Sequence, residues 1–90
     1  KTRSDIKNDY NLIIEFPNKF KKEQSDQILK ILKHNTREIE INKVEKDQEK
    51  IIYFYRVMFL NNVDIHTLIE EIDNKFSDIK FYFYENRFID

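Results

Sequence analysis

The chain has no cysteine, glycine, alanine or tryptophan, and it has one proline among its 90 residues. Without cysteine there is no disulfide framework, no thiolate metal site and no cysteine nucleophile. Without glycine there are no Gly-rich loops of the kind that cradle phosphate groups. No apolar run approaches the roughly 20 residues of a membrane span, and no signal-peptide core is present. The abundance of Ile, Lys, Asn, Phe and Tyr is typical of a low-GC genome, and this bias in composition does not indicate a function.

Charges of both signs are interspersed along the whole chain. The 16 basic and 17 acidic residues give a formal net charge of −1. Proteins that bind nucleic acid usually show a basic excess or a basic stripe, and neither is visible here. Nucleic acid is therefore a disfavoured partner. The length of 90 residues indicates one modest domain with a core of its own, and the lack of cysteine is compatible with a cytoplasmic location.

Six segments show the period of a strand or of a helix. Strand-like runs cover about residues 10–16, 37–45, 50–60 and 79–84, and helix-like apolar spacing covers about residues 19–35 and 65–76. The order β-α-β-β-α-β predicts an α+β, ferredoxin-like split βαβ fold, with a four-stranded antiparallel sheet and two helices on one face. Residues 10–90 are assigned to this single domain, and the polar, aperiodic residues 1–9 to a flexible arm or linker.

Alternation along each strand assigns its residues to the two faces of the sheet. The more uniformly apolar set, which includes Ile39 and Ile41 of the second strand, is predicted to lie under the helices. In the third strand Arg56 decides the assignment, because an unpaired guanidinium is costly to bury. The opposite face carries Glu38, Glu40 and Asn42 in the second strand. It also carries a predicted interaction patch ringed by charges, which consists of Ile13, Ile52, Phe54, Met58, Tyr82 and Tyr84.

An apolar patch with a polar rim is typical of a protein-interaction surface. We therefore expect this face to contact another protein, either a domain of the same larger protein or a second copy in a homodimer. A simpler alternative needs no partner, because strands favour aromatic residues and cross-strand aromatic pairs stabilise a sheet.

A single-stranded nucleic-acid-binding domain is the alternative function. RNA-recognition domains share this topology and stack bases on the open sheet face, where Phe54, Tyr82 and Tyr84 could act. Against this function, the third strand lacks the Gly-containing signature of those domains, and Ile13 stands where a stacking aromatic residue would be expected. Glu15 and its acidic neighbours on the same face would repel phosphate groups.

The second helix carries His66, Glu70 and Asp73 at i, i+4 and i+7, which forms one stripe beside its apolar face. Such a stripe could bind a metal ion or transfer protons. Either task needs converging groups from other segments, and the sequence suggests none, so a solvated stripe is the simpler interpretation. We expect no catalytic residue, no metal, no cofactor and no enzymatic activity.

The layout of YNLIIEF, the hairpin into KIIYFYRVMF and the ending DIHTLIEEIDNKFSDIKFYFY is similar to a known group of domains. These are the ACT-like, ferredoxin-fold cytosolic domains that close bacterial membrane proteins of the MgtC/SapB type. The similarity covers residues 10–84, and no signature residue is carried over. It implies a non-catalytic regulatory module of a larger, membrane-associated protein. The module would lie in the cytoplasm, at the membrane face, without inserting into the bilayer.

Overall fold

The structure is a computed structural model that describes residues 9–20 and 22–85. Its elements are β1 (Asp9–Pro17), α1 (Lys22–His34), β2 (Thr36–Lys46), β3 (Lys50–Phe59), α2 (Ile65–Lys75) and β4 (Lys80–Glu85). The predicted order of elements is confirmed. β1 begins one residue before the predicted strand, and residues 1–8 of the predicted arm lie outside the described residues.

The four strands form one sheet in the order β2-β3-β1-β4, and every neighbouring pair is antiparallel. β1 and β3 lie in the centre, whereas β2 and β4 are the two edges. Each helix connects a central strand to an edge strand, which is the ferredoxin-like split βαβ arrangement. The predicted fold class is confirmed.

The core lies between one face of this sheet and both helices. Leu12 and Ile14 of β1 are buried, and so are Val57 and Phe59 of β3, each pair two positions apart. Because alternate residues share a face, these positions define the side that the helices cover. Full burial of such a side chain contributes about 1.5–3 kcal/mol. The full buried set is Leu12, Ile14, Phe16, Ile28, Leu32, Val57, Phe59, Leu68, Ile72, Phe76 and Ile79.

Side-chain hydrogen bonds close the connections between elements. In the β2–β3 turn, Oδ1 of Asp47 accepts from the backbone N–H groups of Glu49 (2.7 Å) and Lys50 (2.9 Å). At the start of α2, Asp64 accepts from the N–H of Thr67 at 3.2 Å and caps the helix. No residue in the described part of the chain has a positive φ angle. These turns therefore form without glycine.

The tip of the β2–β3 hairpin is attached to the junction between β1 and α1. The backbone N–H of Asn18 donates to the carbonyl of Glu49 at 2.9 Å. The side-chain amide of Asn18 donates to the carbonyl of Gln48 at 2.8 Å. Two backbone carbonyls of the hairpin tip thus accept hydrogen bonds from Asn18, one from its backbone and one from its side chain.

β2 departs from a regular strand in two places. Its register with β3 shifts between Thr36 and Glu38 and again between Ile41 and Lys43. The extra residue in the second shift is Asn42, which forms a β-bulge. After a bulge the side chains change phase, so Lys43 shares a face with Phe54, its partner on β3. A regular strand would have placed Lys43 on the helix side.

The prediction that helices cover Ile41 is wrong. Ile41 is 52% exposed, and Val44, beyond the bulge on the same side, is 50% exposed. The reason is length. The 13 residues of α1 extend over about 20 Å, whereas the 11 residues of β2 extend over about 36 Å. The β2–β3 hairpin therefore projects past the helix that covers its first half.

Candidate interaction face

The side of the sheet opposite the helices is called the open face. Antiparallel partners that lie directly opposite each other project from the same face. Ile13 of β1 lies opposite both Phe54 of β3 and Tyr82 of β4. Val57 of β3 is buried on the helix side, and Phe54, three positions before it, projects from the opposite face. Phe54 and its cross-strand partners therefore project away from the helices. The remaining predicted patch residues have the same phase, so the structure places all six on the open face; they are Ile13, Ile52, Phe54, Met58, Tyr82 and Tyr84.

Cross-strand partners arrange the open face in rows that run across the sheet in the order β4, β1, β3, β2. The central row is apolar except for its last member and consists of Tyr82, Ile13, Phe54 and Lys43. The row on one side consists of Tyr84, Asn11, Arg56 and Glu40. The row on the other side consists of Lys80, Glu15, Ile52 and Glu45. An apolar row thus lies between two rows that are rich in charge.

The six predicted patch residues are not equally close to one another. Tyr84 and Ile52 are diagonal neighbours of the central row, whereas Met58 lies one row further, beyond Arg56. Exposure also differs, since Tyr82 is 41% and Tyr84 is 57% exposed while the other four are half-buried. The contiguous part of the patch therefore excludes Met58, and its two tyrosines offer the most accessible surface.

Lys43 is a member of this face that sequence reasoning missed. Its ammonium lies 4.9 Å from the centre of the Phe54 ring, in a cation–π contact. The same ammonium lies 2.9 Å from Oε2 of Glu45. Only the bulge at Asn42 brings Lys43 to this side of the sheet. Because no glycine or proline marks the bulge, the sequence carries no local signal for it.

Arg56 forms the principal ion pair of the open face. Its Nε donates to Oδ1 of Asp9 at 3.1 Å, and its terminal nitrogen NH2 donates to Oδ2 at 2.7 Å. Asp9 is 2% exposed, and this hydrogen bond and charge raise the pKa of Arg56. Sequence reasoning assigned Asp9 to the polar arm. The sequence does carry a signal for this pair. Asp9 is an acidic residue two positions before Asn11 and therefore on the same face, and Asn11 is the cross-strand partner of Arg56.

A shallow hollow of about 400 Å³ lies on the open face and extends across the sheet from Tyr84 of β4 to Asn42 and Lys43 of β2. The rings of Phe54 and Tyr84 and the side chain of Ile13 line it, together with Asn42 and Lys43. Its lining is mainly apolar at the centre and polar toward β2. The arrangement can accept an apolar group and place a hydrogen-bonding group beside the amide or the ammonium.

Several cations of the open face lie beside carboxylates. Besides the Arg56–Asp9 pair, Nζ of Lys50 lies 3.9 Å from Oε1 of Glu15. A second terminal nitrogen of Arg56 lies 3.9 Å from Oε1 of Glu40. A phosphate backbone crossing this face would meet a carboxylate next to these cations. The electrostatics of these pairs therefore disfavour contact with a phosphate backbone.

The stripe of His66, Glu70 and Asp73 faces a groove between α2 and β4, outside the open face. The ring of His66 lies edge-on to Phe83, with 5.7 Å between ring centres. Within residues 9–20 and 22–85, no group of three or more His, Asp or Glu side chains is arranged to hold a metal ion.

Neither helix among the described residues has the length and apolar character needed to cross a membrane.

No family model matches the chain, and no curated protein matches it. Solved structures with a similar fold include the following two. The de novo designed protein Foldit4 is 14% identical, with 88% of this chain and 97% of that chain covered and a TM-score of 0.55. The C-terminal domain of the MgtC protein from Mycobacterium tuberculosis is 10% identical, with 87% of this chain and 88% of that chain covered and a TM-score of 0.53.

Both likenesses show the fold alone, because the identities are low. The MgtC neighbour agrees with the fold that the resemblance implied. A designed protein with a similar TM-score makes clear that this architecture does not specify a function. Any functional conclusion must come from the surfaces of this chain, which is a ferredoxin-like domain of the architecture also found in the MgtC C-terminal domain.

Proposed function

We propose that the chain is a non-catalytic regulatory or protein-interaction module of a larger protein, which docks another protein domain on its open face. The observation that carries this proposal is the central row, in which Tyr82, Ile13 and Phe54 lie side by side across three strands. The partner is a protein surface with an apolar centre and a rim of both charge signs.

Desolvation of the aromatic rings supplies the driving force. Tyr82 and Tyr84 are exposed before binding, and aromatic residues at the centre of an interface are the usual energetic anchors. The rows on either side provide charged groups that fix orientation, since electrostatic complementarity sets specificity more than affinity. The hollow beside Phe54 is suited to receive one apolar side chain of the partner.

A position within a larger membrane protein is the second part of the proposal. The likeness in fold to the MgtC C-terminal domain supports it. In this arrangement the module lies in the cytoplasm at the membrane face and does not enter the bilayer. The parent gene tests this part alone: we expect apolar segments of about 20 residues beside the domain, and a parent without them overturns it.

Peptides selected by display against the wild-type domain test the docking face. We expect the double variant Tyr82→Ser/Tyr84→Ser to weaken their binding at least tenfold, or about 1.4 kcal/mol. Both positions are exposed, so the fold should persist, which circular dichroism checks. The control is Lys30→Ser, at an exposed position of α1 on the other side of the sheet, and it should bind as the wild type does. Equal binding by the tyrosine variant, or loss only in the control, overturns the proposal.

The same variants test whether the open face binds single-stranded nucleic acid instead of a protein. A single-stranded oligonucleotide is titrated at low and at physiological salt, because binding to phosphate groups weakens steeply with salt. We expect no salt-dependent complex. A tight, salt-dependent complex that Tyr82→Ser/Tyr84→Ser abolishes would replace the proposed partner with single-stranded nucleic acid.

A further inference from the structure

The outer half of β2 carries an uncovered apolar strip on the helix side of the sheet. Ile41 and Val44, about half exposed, lie opposite Tyr55 and Tyr53 of β3. The two tyrosine rings are stacked with 6.0 Å between their centres. The strip lies on the opposite side of the sheet from the open face, so the docking function proposed above does not account for it.

The same strand is an edge of the sheet. Within the described residues, β2 pairs with β3 alone, and its other side has no strand neighbour. It has 11 residues, whereas the opposite edge, β4, has 6. An edge strand presents backbone N–H and C=O groups that can pair with another chain. A long edge that also exposes aliphatic side chains is suited to such pairing.

One pair of opposite charges in β2 is placed so that it can pair with itself in a second, antiparallel copy. Glu40 precedes the bulge and Lys43 follows it, and both project from the open face. If a second β2 runs antiparallel with the two-fold axis between Ile41 and Asn42, Glu40 of each copy lies opposite Lys43 of the other.

The helix side agrees with the same register. Ile39 of each copy then lies opposite Val44 of the other, and the two Ile41 side chains lie next to the axis. Residues that lie directly opposite each other in paired strands must project from the same face of the sheet. In a regular strand, residues separated by an odd number of positions project from opposite faces, so no pair in this register would share a face. The bulge at Asn42 removes the mismatch, because it returns Lys43 to the face of Glu40 and Val44 to the face of Ile39.

We propose that two copies of this chain associate through β2, in antiparallel register about an axis between Ile41 and Asn42, into one continuous sheet. The interface is isologous, so each favourable pair occurs twice. The next pair outward, Glu38 with Glu45, is like-charged, which weakens the association. Two edge strands make an interface at the low end of the usual size range, so we expect a weak dimer, with a dissociation constant on the order of 100 µM.

Sedimentation equilibrium up to about ten times that dissociation constant tests the association. The wild type should rise with concentration from 11.2 kDa toward twice that mass. The double variant Ile41→Lys/Val44→Lys, at exposed positions, should stay monomeric and keep the wild-type circular dichroism spectrum. The control Tyr82→Ser/Tyr84→Ser should still dimerise, which separates this interface from the open face. A wild type that remains monomeric, or a dimer lost only in the tyrosine variant, overturns the proposal.

Charge reversal tests the register. Glu40→Lys alone places Lys opposite Lys43, and Lys43→Glu alone places Glu opposite Glu40, so each variant should dimerise at least fivefold more weakly than the wild type. An equimolar mixture of the two restores both opposite-charge pairs and should regain the wild-type affinity as a heterodimer. A mixture no tighter than either variant by itself contradicts this register.

Discussion

Arg56 and Asp9 make a two-point contact across the strands of the open face, with Nε–Oδ1 at 3.1 Å and NH2–Oδ2 at 2.7 Å. The carboxylate is buried, while the guanidinium side chain is 43% exposed. Two parallel hydrogen bonds to a carboxylate fix the plane of the guanidinium. The contact thus holds the first residue of β1 against the centre of β3, at the margin of the proposed docking surface.

Replacement of Arg56 by leucine should lower the free energy of unfolding by about 2 kcal/mol. Removing one partner of a fully buried pair costs about 3–5 kcal/mol, and the partial exposure of Arg56 reduces this through solvent screening. Urea denaturation at neutral pH measures the change. Lys30→Leu, on the exposed side of α1, is the control and should stay within about 0.5 kcal/mol. Equal free energies of unfolding for the two variants would show that this ion pair does not stabilise the fold.

Stability should decline in acid because of Asp47. Hydrogen bonds from the amides of Glu49 and Lys50 hold the pKa of this carboxyl below its ordinary value of 3.8. A lowered pKa in the folded state means that the stabilisation is present above that ordinary value and is lost as the pH falls through the folded-state pKa. Urea midpoints from about pH 6 to about pH 2 report the loss.

The matched variant for this prediction is Asp47→Asn, which keeps an accepting oxygen without the titrating charge. Its midpoint should fall less than that of the wild type over the same acid range. Parallel curves for the two proteins would show that Asp47 does not contribute to the acid sensitivity.

Two isoleucines that look alike in the sequence should respond differently to truncation. Ile72→Ala, in the core beneath α2, should cost about 3 kcal/mol, within the usual range for a buried large-to-small change. Ile41→Ala, at the uncovered edge of β2, should cost less than about 1 kcal/mol. Thermal or urea unfolding of the two variants distinguishes them, and similar losses would mean that a helix covers Ile41 after all.

Disulfide trapping should report the register of the proposed dimer, since the chain has no cysteine to interfere. Directly opposed residues of antiparallel strands lie about 4.5–5.5 Å apart at Cα, within the range that a disulfide accepts. Under mild oxidation, Glu40→Cys mixed with Lys43→Cys should give a crosslinked heterodimer. Non-reducing electrophoresis followed by mass spectrometry identifies it. Crosslinking of each variant to itself in equal yield would indicate a different register.

The fold and most of the open face could be predicted because the central strands β1 and β3 pair in a regular register without a bulge. The polar residues Asn11 and Glu15 mark the open phase of β1, whereas β3 is apolar in both phases and Arg56 alone decides its assignment on desolvation grounds. The six patch positions follow from these phases. Their role as an interaction surface stays a prediction, because the phase of a strand determines where a side chain projects but not what contacts it.

The edge strand could not be predicted in the same way. The bulge at Asn42 changes the phase of everything after it, so Lys43 and Val44 project from the faces opposite to those a regular strand would give them. The exposure of Ile41 depends on the relative lengths of α1 and β2, a tertiary property that local alternation does not contain. Asp9 escaped notice because its partner, Arg56, is 47 positions away.

The place of Lys43 above Phe54 makes the two proposed surfaces parts of one thermodynamic cycle. The ammonium that covers this ring is also the group that faces Glu40 of a second copy. If dimer formation moves the Lys43 ammonium away from the ring, Phe54 becomes accessible to a partner. If a partner displaces the ammonium from Phe54, Lys43 becomes available to Glu40 of the second copy. Linkage requires that these two effects be equal in free energy. Partner affinity measured against the concentration of the domain would give their sign, and an affinity independent of concentration would show that the surfaces act separately.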